Sequence, residues 1–117
     1  MDWSKPTTQL LGRYQPWHEG HTELFKRAHA KTGQVVIMLR REDGSESNPY
    51  SSTQRSSIIV HTLEAEGFKL LKDFDIIEVP NIVNITYGRD VGYAIEQERL
   101  DTDIEAISAT AIRNAKS

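Results

Sequence analysis

Gly12-Arg13-Tyr14-Gln15-Pro16-Trp17-His18-Glu19-Gly20-His21 is the stretch that decides the fold. Just before it, Gln9-Leu10-Leu11 is a short apolar run that ends a strand. Just after it, Leu24, Phe25 and Ala28 fall at helical spacing among good helix formers. Strand, glycine turn and helix in that order bring a helix N-terminus to an anion in α/β proteins. His18 and His21, three apart around Gly20, stand where the helix begins. The segment reads as a nucleotide-phosphate site.

Outward from it, the first strand is expected over Thr7–Leu11 and the first helix over Gly20–Lys31, stopped by Thr32-Gly33, where glycine accepts a left-handed cap. Gln34–Leu39 is almost uninterruptedly apolar, the pattern of a strand buried on both faces of a parallel sheet. These three elements make one βαβ unit. The polar run Arg40–Tyr50 is a loop, after which Ser51 or Ser52 can cap a helix over Thr53–Glu66 with Ile58, Ile59, Thr62 and Leu63 inward. Asp75–Val79 reads as a third strand and Ile82–Tyr87 as a fourth, leading into the turn Gly88-Arg89-Asp90. Tyr93–Leu100 is a candidate fifth strand, although Glu96, Gln97 and Glu98 suit a helix; Ile107 opens a last helix. The whole chain, residues 1–117, is one small three-layer α/β domain.

Composition narrows the function. Seventeen carboxylates face fourteen Lys and Arg without any basic block, so the stripe that a nucleic-acid binder needs is missing. The lack of cysteine excludes disulfides, thiolate metal sites and cysteine nucleophiles. No apolar run reaches membrane-spanning length and the first residues lack an apolar signal region, so a cytoplasmic setting is expected.

Arginines gather where a ligand would bind. Arg13 follows the first strand, Arg40 and Arg41 the second and Arg89 the fourth, while Arg113 lies in the first turn of the last helix. The carboxyl ends of parallel strands share one edge, where ligands sit, and a guanidinium fork suits phosphate oxygens. A cation in the first helical turn, as at Arg113, is unfavourable unless an anion offsets the dipole. Ser108, Thr110 and nearby amides would be its co-donors. For His18 and His21 three readings stand: zinc ligation, which lacks a third protein ligand; packing; and donation to the phosphates of a nucleotide. No nucleophile elbow and no Walker lysine loop is present, which disfavours a serine hydrolase and a kinase.

These motifs resemble a known superfamily. Gly12–His21 is similar to the HxGH segment of the nucleotidyltransferases, and Ile107–Arg113 to their second signature, usually written ISSTxIR. The Gly-Arg-Tyr-Gln-Pro-Trp-His form looks most like nicotinamide-mononucleotide adenylyltransferases, which read GRFQPFHxGH, and Asn48–Arg55 resembles their NPFTxxER stretch. The arginine-rich second signature of the polyol and choline cytidylyltransferases, RTxGISTT, is replaced here by Glu105-Ala106 before Ile107, which leans toward ATP over CTP. The resemblance implies a Rossmann-like parallel sheet of about five strands with helices on both faces. It also implies attack by a phosphorylated small-molecule acceptor on the α-phosphorus of ATP or CTP, with loss of pyrophosphate.

Residue by residue, the resemblance places His18 and His21 on the α- and β-phosphates, and Arg113, Ser108 and Thr110 on the β- and γ-phosphates. Arg13 and Gln15 fall on the floor near the α-phosphate, with Gly12, Tyr14, Gly20 and Ile107 as further nucleotide-binding positions. Gly88, Arg89 and Asp90 approach the nucleoside, and Arg40 or Arg55 the acceptor. Mg²⁺ would arrive with the triphosphate rather than in a protein cage. A cytidylyltransferase acting on a phosphorylated polyol and a non-catalytic nucleotide-binding regulatory domain are the rival readings. The short helix after Ile107 is expected to need support, so a homo-oligomer is anticipated.

Overall fold

A computed structural model describes residues 1–41, 49–89 and 92–98. Three strands, β1 (Thr8–Gly12), β2 (Val35–Arg40) and β3 (Phe74–Val79), alternate with two helices, α1 (Glu19–Thr32) and α2 (Ser52–Ala65). The strands form one parallel sheet in the order β1-β2-β3. Leu10 pairs with Ile37, and Ile37 with Ile76, so these three side chains share one face of the sheet.

That face holds the core. Leu10, Val35, Ile37, Leu39 and Phe74 cluster with Phe25 and Ala28 of α1 and with Ile59 and Leu63 of α2. Phe25, at the centre, meets the rings of Phe68 and Phe74 edge-on, with centroids 4.8 and 5.9 Å away. On the opposite face Leu11, Val36 and Met38 are only half-buried and Ile77 is exposed. Both described helices thus lie on one face, two layers of the three expected. The helix expected from Ile107 lies outside the described residues, as do Asp90, Ser108, Thr110 and Arg113.

Local chemistry sets the helix ends. Gly33 takes the left-handed conformation (φ 80°) after α1 and donates its N–H to the His29 carbonyl. Ser51 caps α2 in a reciprocal box with Gln54: the serine hydroxyl accepts the Gln54 N–H, and the glutamine side chain accepts the Ser51 N–H.

Two expected strands are corrected. Ile82–Tyr87 is irregular, with Val83, Ile85 and Tyr87 exposed, and residues 93–98 are irregular as well. Alternating β-formers describe a chain that fits a pleated, half-buried surface, and here the segment pairs with no strand among the described residues.

Candidate phosphate-binding site

Gly12 ends β1 because no larger residue fits. The ring of Tyr14 folds back over it, so that a Cβ on Gly12 would stand 2.8 and 2.9 Å from two ring carbons. Tyr14 takes a positive φ of 53°, uncommon outside glycine, to make this turn. Its ring then packs against Trp17 (4.9 Å) and edge-on against His21 (4.9 Å, 89°). The Tyr14 hydroxyl is buried and has no hydrogen-bond partner among the described residues, and burial raises its pKa. Trp17 is anchored by its indole N–H to the Thr22 hydroxyl, 2.8 Å away.

The chain then enters α1 through the two histidines. His18 is the N-cap and its Nδ1 accepts the Gly20 N–H at 3.1 Å. His21, three residues on, returns the bond: its Nδ1 accepts the His18 N–H at 3.1 Å. This is the geometry of a capping box, with imidazoles in both positions. The rings stack with centroids 3.8 Å apart and planes 25° from parallel.

Two consequences follow for their chemistry. Burial, and then the proximity of His18, pushes the His21 pKa down to about 3, and burial also lowers that of His18. Both rings are therefore neutral at pH 7. Because Nδ1 accepts a backbone N–H in each, the single ring proton sits on Nε2, where it can be donated. Two N–H donors at a helix N-terminus suit phosphate oxygens. A cation would find the Nδ1 lone pairs already engaged, and among the described residues no group of three His, Asp or Glu side chains could hold a metal.

The other expected site residues divide. Gly20 is buried in the first turn of α1, as its place requires. Arg13 is exposed at the strand exit and Arg40 half-exposed at the end of β2, where its Nη2 donates to Asn81 Oδ1. Gly88 and Arg89 are exposed in the irregular stretch. Gln15 is buried, and both ends of its amide meet the Tyr50 backbone: Nε2 donates to the carbonyl and Oε1 accepts the N–H, each at 2.9 Å. It is a strut between two loops rather than part of an open floor.

Arg55 is the larger correction. Expected on the acceptor side, it is fully buried. Its Nη1 donates to the carbonyls of Arg13 (2.7 Å) and Arg40 (2.6 Å), its Nε to the Ser51 carbonyl (3.3 Å) and its Nη2 to the Ser52 hydroxyl (3.3 Å). The sequence carried a signal for this, since Arg55 lies four residues before Ile59 and eight before Leu63, on the core-facing stripe of α2.

The cavities do not compete with this assignment. One of about 590 Å³ lies at the opposite, amino edge of the sheet beside Thr32, Gly33 and Gln34. Another of about 450 Å³ reaches Trp17 and His18 but is rimmed by Glu19, Glu23 and Glu66 against one cation, Lys26, a poor match for a triphosphate. The carboxyl edge is where parallel sheets bind ligands.

Comparison with known proteins places the chain among nucleotidyltransferases. The chain is 36% identical over 59 residues to a nicotinamide-nucleotide adenylyltransferase of Thermoplasma acidophilum, covering 49% of this chain and 33% of that protein. It is 33% identical over 92 residues to the protein of the same name from Methanolobus tindarius, covering 72% of this chain and 53% of that one. With its counterpart in Pyrococcus abyssi it shares 27% over 75 residues, covering 62% and 39% respectively. The chain thus spans about a third to a half of the length of these curated relatives. The cytidylyltransferase-like family matches residues 10–112, from the middle of β1 through both histidines to the end of the second signature but one residue. By that match the chain belongs to the cytidylyltransferase-like family.

Proposed function

We propose that this chain is the nucleotide-binding domain of an adenylyltransferase that joins AMP from ATP to a phosphorylated acceptor and releases pyrophosphate. The observation that carries the reading is the pair of neutral imidazoles whose Nε2–H groups stand together at the N-terminus of α1. Relatives named nicotinamide-nucleotide adenylyltransferase favour nicotinamide mononucleotide as the acceptor and ATP over CTP. The substrate is ATP with its magnesium ion, which the phosphate oxygens carry in.

In the reaction an acceptor phosphate oxygen attacks the α-phosphorus. The bond from that phosphorus to the bridging oxygen breaks, and the bridging oxygen leaves with its electron pair on pyrophosphate. His18 and His21 donate from Nε2 to the α- and β-phosphates as negative charge builds there. Ser108, Thr110 and Arg113 hold the β- and γ-phosphates, and the exposed Arg13 supports the α-phosphate. Arg40 faces the acceptor, and Gly88, Arg89 and Asp90 the nucleoside. Catalysis is by position and electrostatics, so no general base is needed. The working form is a cytoplasmic homo-oligomer; among the described residues no helix is long and apolar enough to cross a membrane.

The test is incubation with ATP, MgCl₂ and nicotinamide mononucleotide, following pyrophosphate and the dinucleotide product. Release of both, abolished by Arg113→Met, supports the reading. Turnover only with CTP and a phosphorylated polyol would replace it by the cytidylyl reading. ATP binding without turnover on any acceptor would make this a regulatory nucleotide-binding domain.

A further inference from the structure

Arg55 and Gln15 form a reciprocal stitch across the carboxyl edge of the sheet. Arg55, from the first turn of α2, reaches back to the carbonyls at the exits of β1 and β2. Gln15, from the loop between β1 and α1, reaches forward to the backbone of Tyr50, just before α2. The carbonyls that Arg55 holds belong to Arg13 and Arg40, the two residues to which the proposed function gives the α-phosphate and the acceptor. A single Nη1 bonds both, so the two strand exits are fixed relative to one atom.

We infer that Arg55 is a positioning residue for the transfer reaction: by clamping the Arg13 and Arg40 carbonyls it sets the spacing of the phosphate loop and the acceptor side. Burying a guanidinium is costly unless its donors are met, and a hydrophobic residue at this core-facing position would avoid that cost. A rigid fork is what can satisfy three carbonyls lying on different elements; a lysine ammonium is a point donor on a flexible stem. Since misplacement by about 1 Å can cost on the order of 10²-fold in rate, a clamp here acts on the chemistry without touching substrate. The inference rests on the proposed function for its kinetic consequence but not for its structural one.

The experiment compares wild type, Arg55→Lys and Arg55→Ala. In Arg55→Lys, kcat/KM for nicotinamide mononucleotide with ATP should fall on the order of ten- to a hundredfold, mostly through kcat, because loosened loops misplace the reacting groups. Amide exchange at Tyr50, whose N–H donates to Gln15, should quicken at least about tenfold, as expected of a local opening, while Ile37 in the central strand keeps its protection. Arg55→Ala should regain activity on adding guanidinium but not methylammonium. Exchange that quickens equally at Tyr50 and Ile37 would make Arg55 a general stabiliser and overturn the inference. So would unchanged Tyr50 exchange with wild-type kinetics, or rescue by methylammonium. If the wild type shows no turnover, the proposed function fails, and the exchange pattern in Arg55→Lys still decides for or against the clamp.

Discussion

The imidazoles of His18 and His21 lie stacked 3.8 Å apart, and each uses its Nδ1 to close one half of the same helix cap. The cap therefore holds both rings in one tautomer, with their protons on Nε2. A structural bond at one ring nitrogen prepares the other for a ligand.

His21→Ala should reduce kcat by on the order of 10²–10³ with a smaller change in ATP affinity, because a donor matched to developing charge acts mainly in the transition state. The lost cap should cost about 1 kcal/mol of stability besides. Steady-state kinetics beside urea unfolding separates the two. Equal losses in kcat and in ATP binding would confine His21 to the ground state.

Stability should fall with acidification through the range set by His21. Its folded-state pKa of about 3 lies below the ordinary 6.5. Below pH 6.5 the unfolded chain binds a proton that the folded one refuses, so stability present at pH 7 drains away as the pH drops toward 3. The slope from this one group approaches about 1.4 kcal/mol per pH unit. Urea midpoints at pH 7.5, 6 and 5 should show it, and His21→Gln should flatten the profile. A parallel decline in the variant would assign the acid sensitivity to other groups.

Tyr14→Phe should leave the fold intact and raise stability by about 1 kcal/mol, since it removes a buried hydroxyl that has no partner among the described residues. A loss of similar size would reveal a hydrogen-bond partner, such as a bound water. Chemical denaturation at pH 7 suffices to measure it.

Gly12→Ala should destabilise by about 1–3 kcal/mol through overpacking, as its Cβ would meet Tyr14 ring carbons at 2.8 and 2.9 Å. The double variant with Tyr14→Phe should regain no more than the about 1 kcal/mol that Tyr14→Phe gives alone, because phenylalanine keeps those carbons. A larger recovery would shift the clash to the hydroxyl oxygen, 3.2 Å from the same point.

What the sequence determined by itself is whatever depends on near neighbours along the chain. The spacing of Leu24, Phe25 and Ala28 announced α1, Gly33 its end and Ser51 or Ser52 the start of α2, because caps and helical faces are closed by residues three or four apart. The apolar run Gln34–Leu39 announced a parallel strand, although the face of Val36 and Met38, expected buried like the other, is only half-buried among the described residues, and His18 and His21 announced the head of a helix. Tertiary structure decided the rest. Ile82–Tyr87 has the composition of a strand, yet a strand exists only where another offers its hydrogen bonds. Arg55, placed on the acceptor side by the resemblance, proved instead to be enclosed by the carbonyls of Arg13 and Arg40, 42 and 15 residues away. Gln15 found its partner 35 residues on, at Tyr50. A polar side chain's role is set by which acceptors surround it after folding, and sequence spacing carries that information only across a single turn.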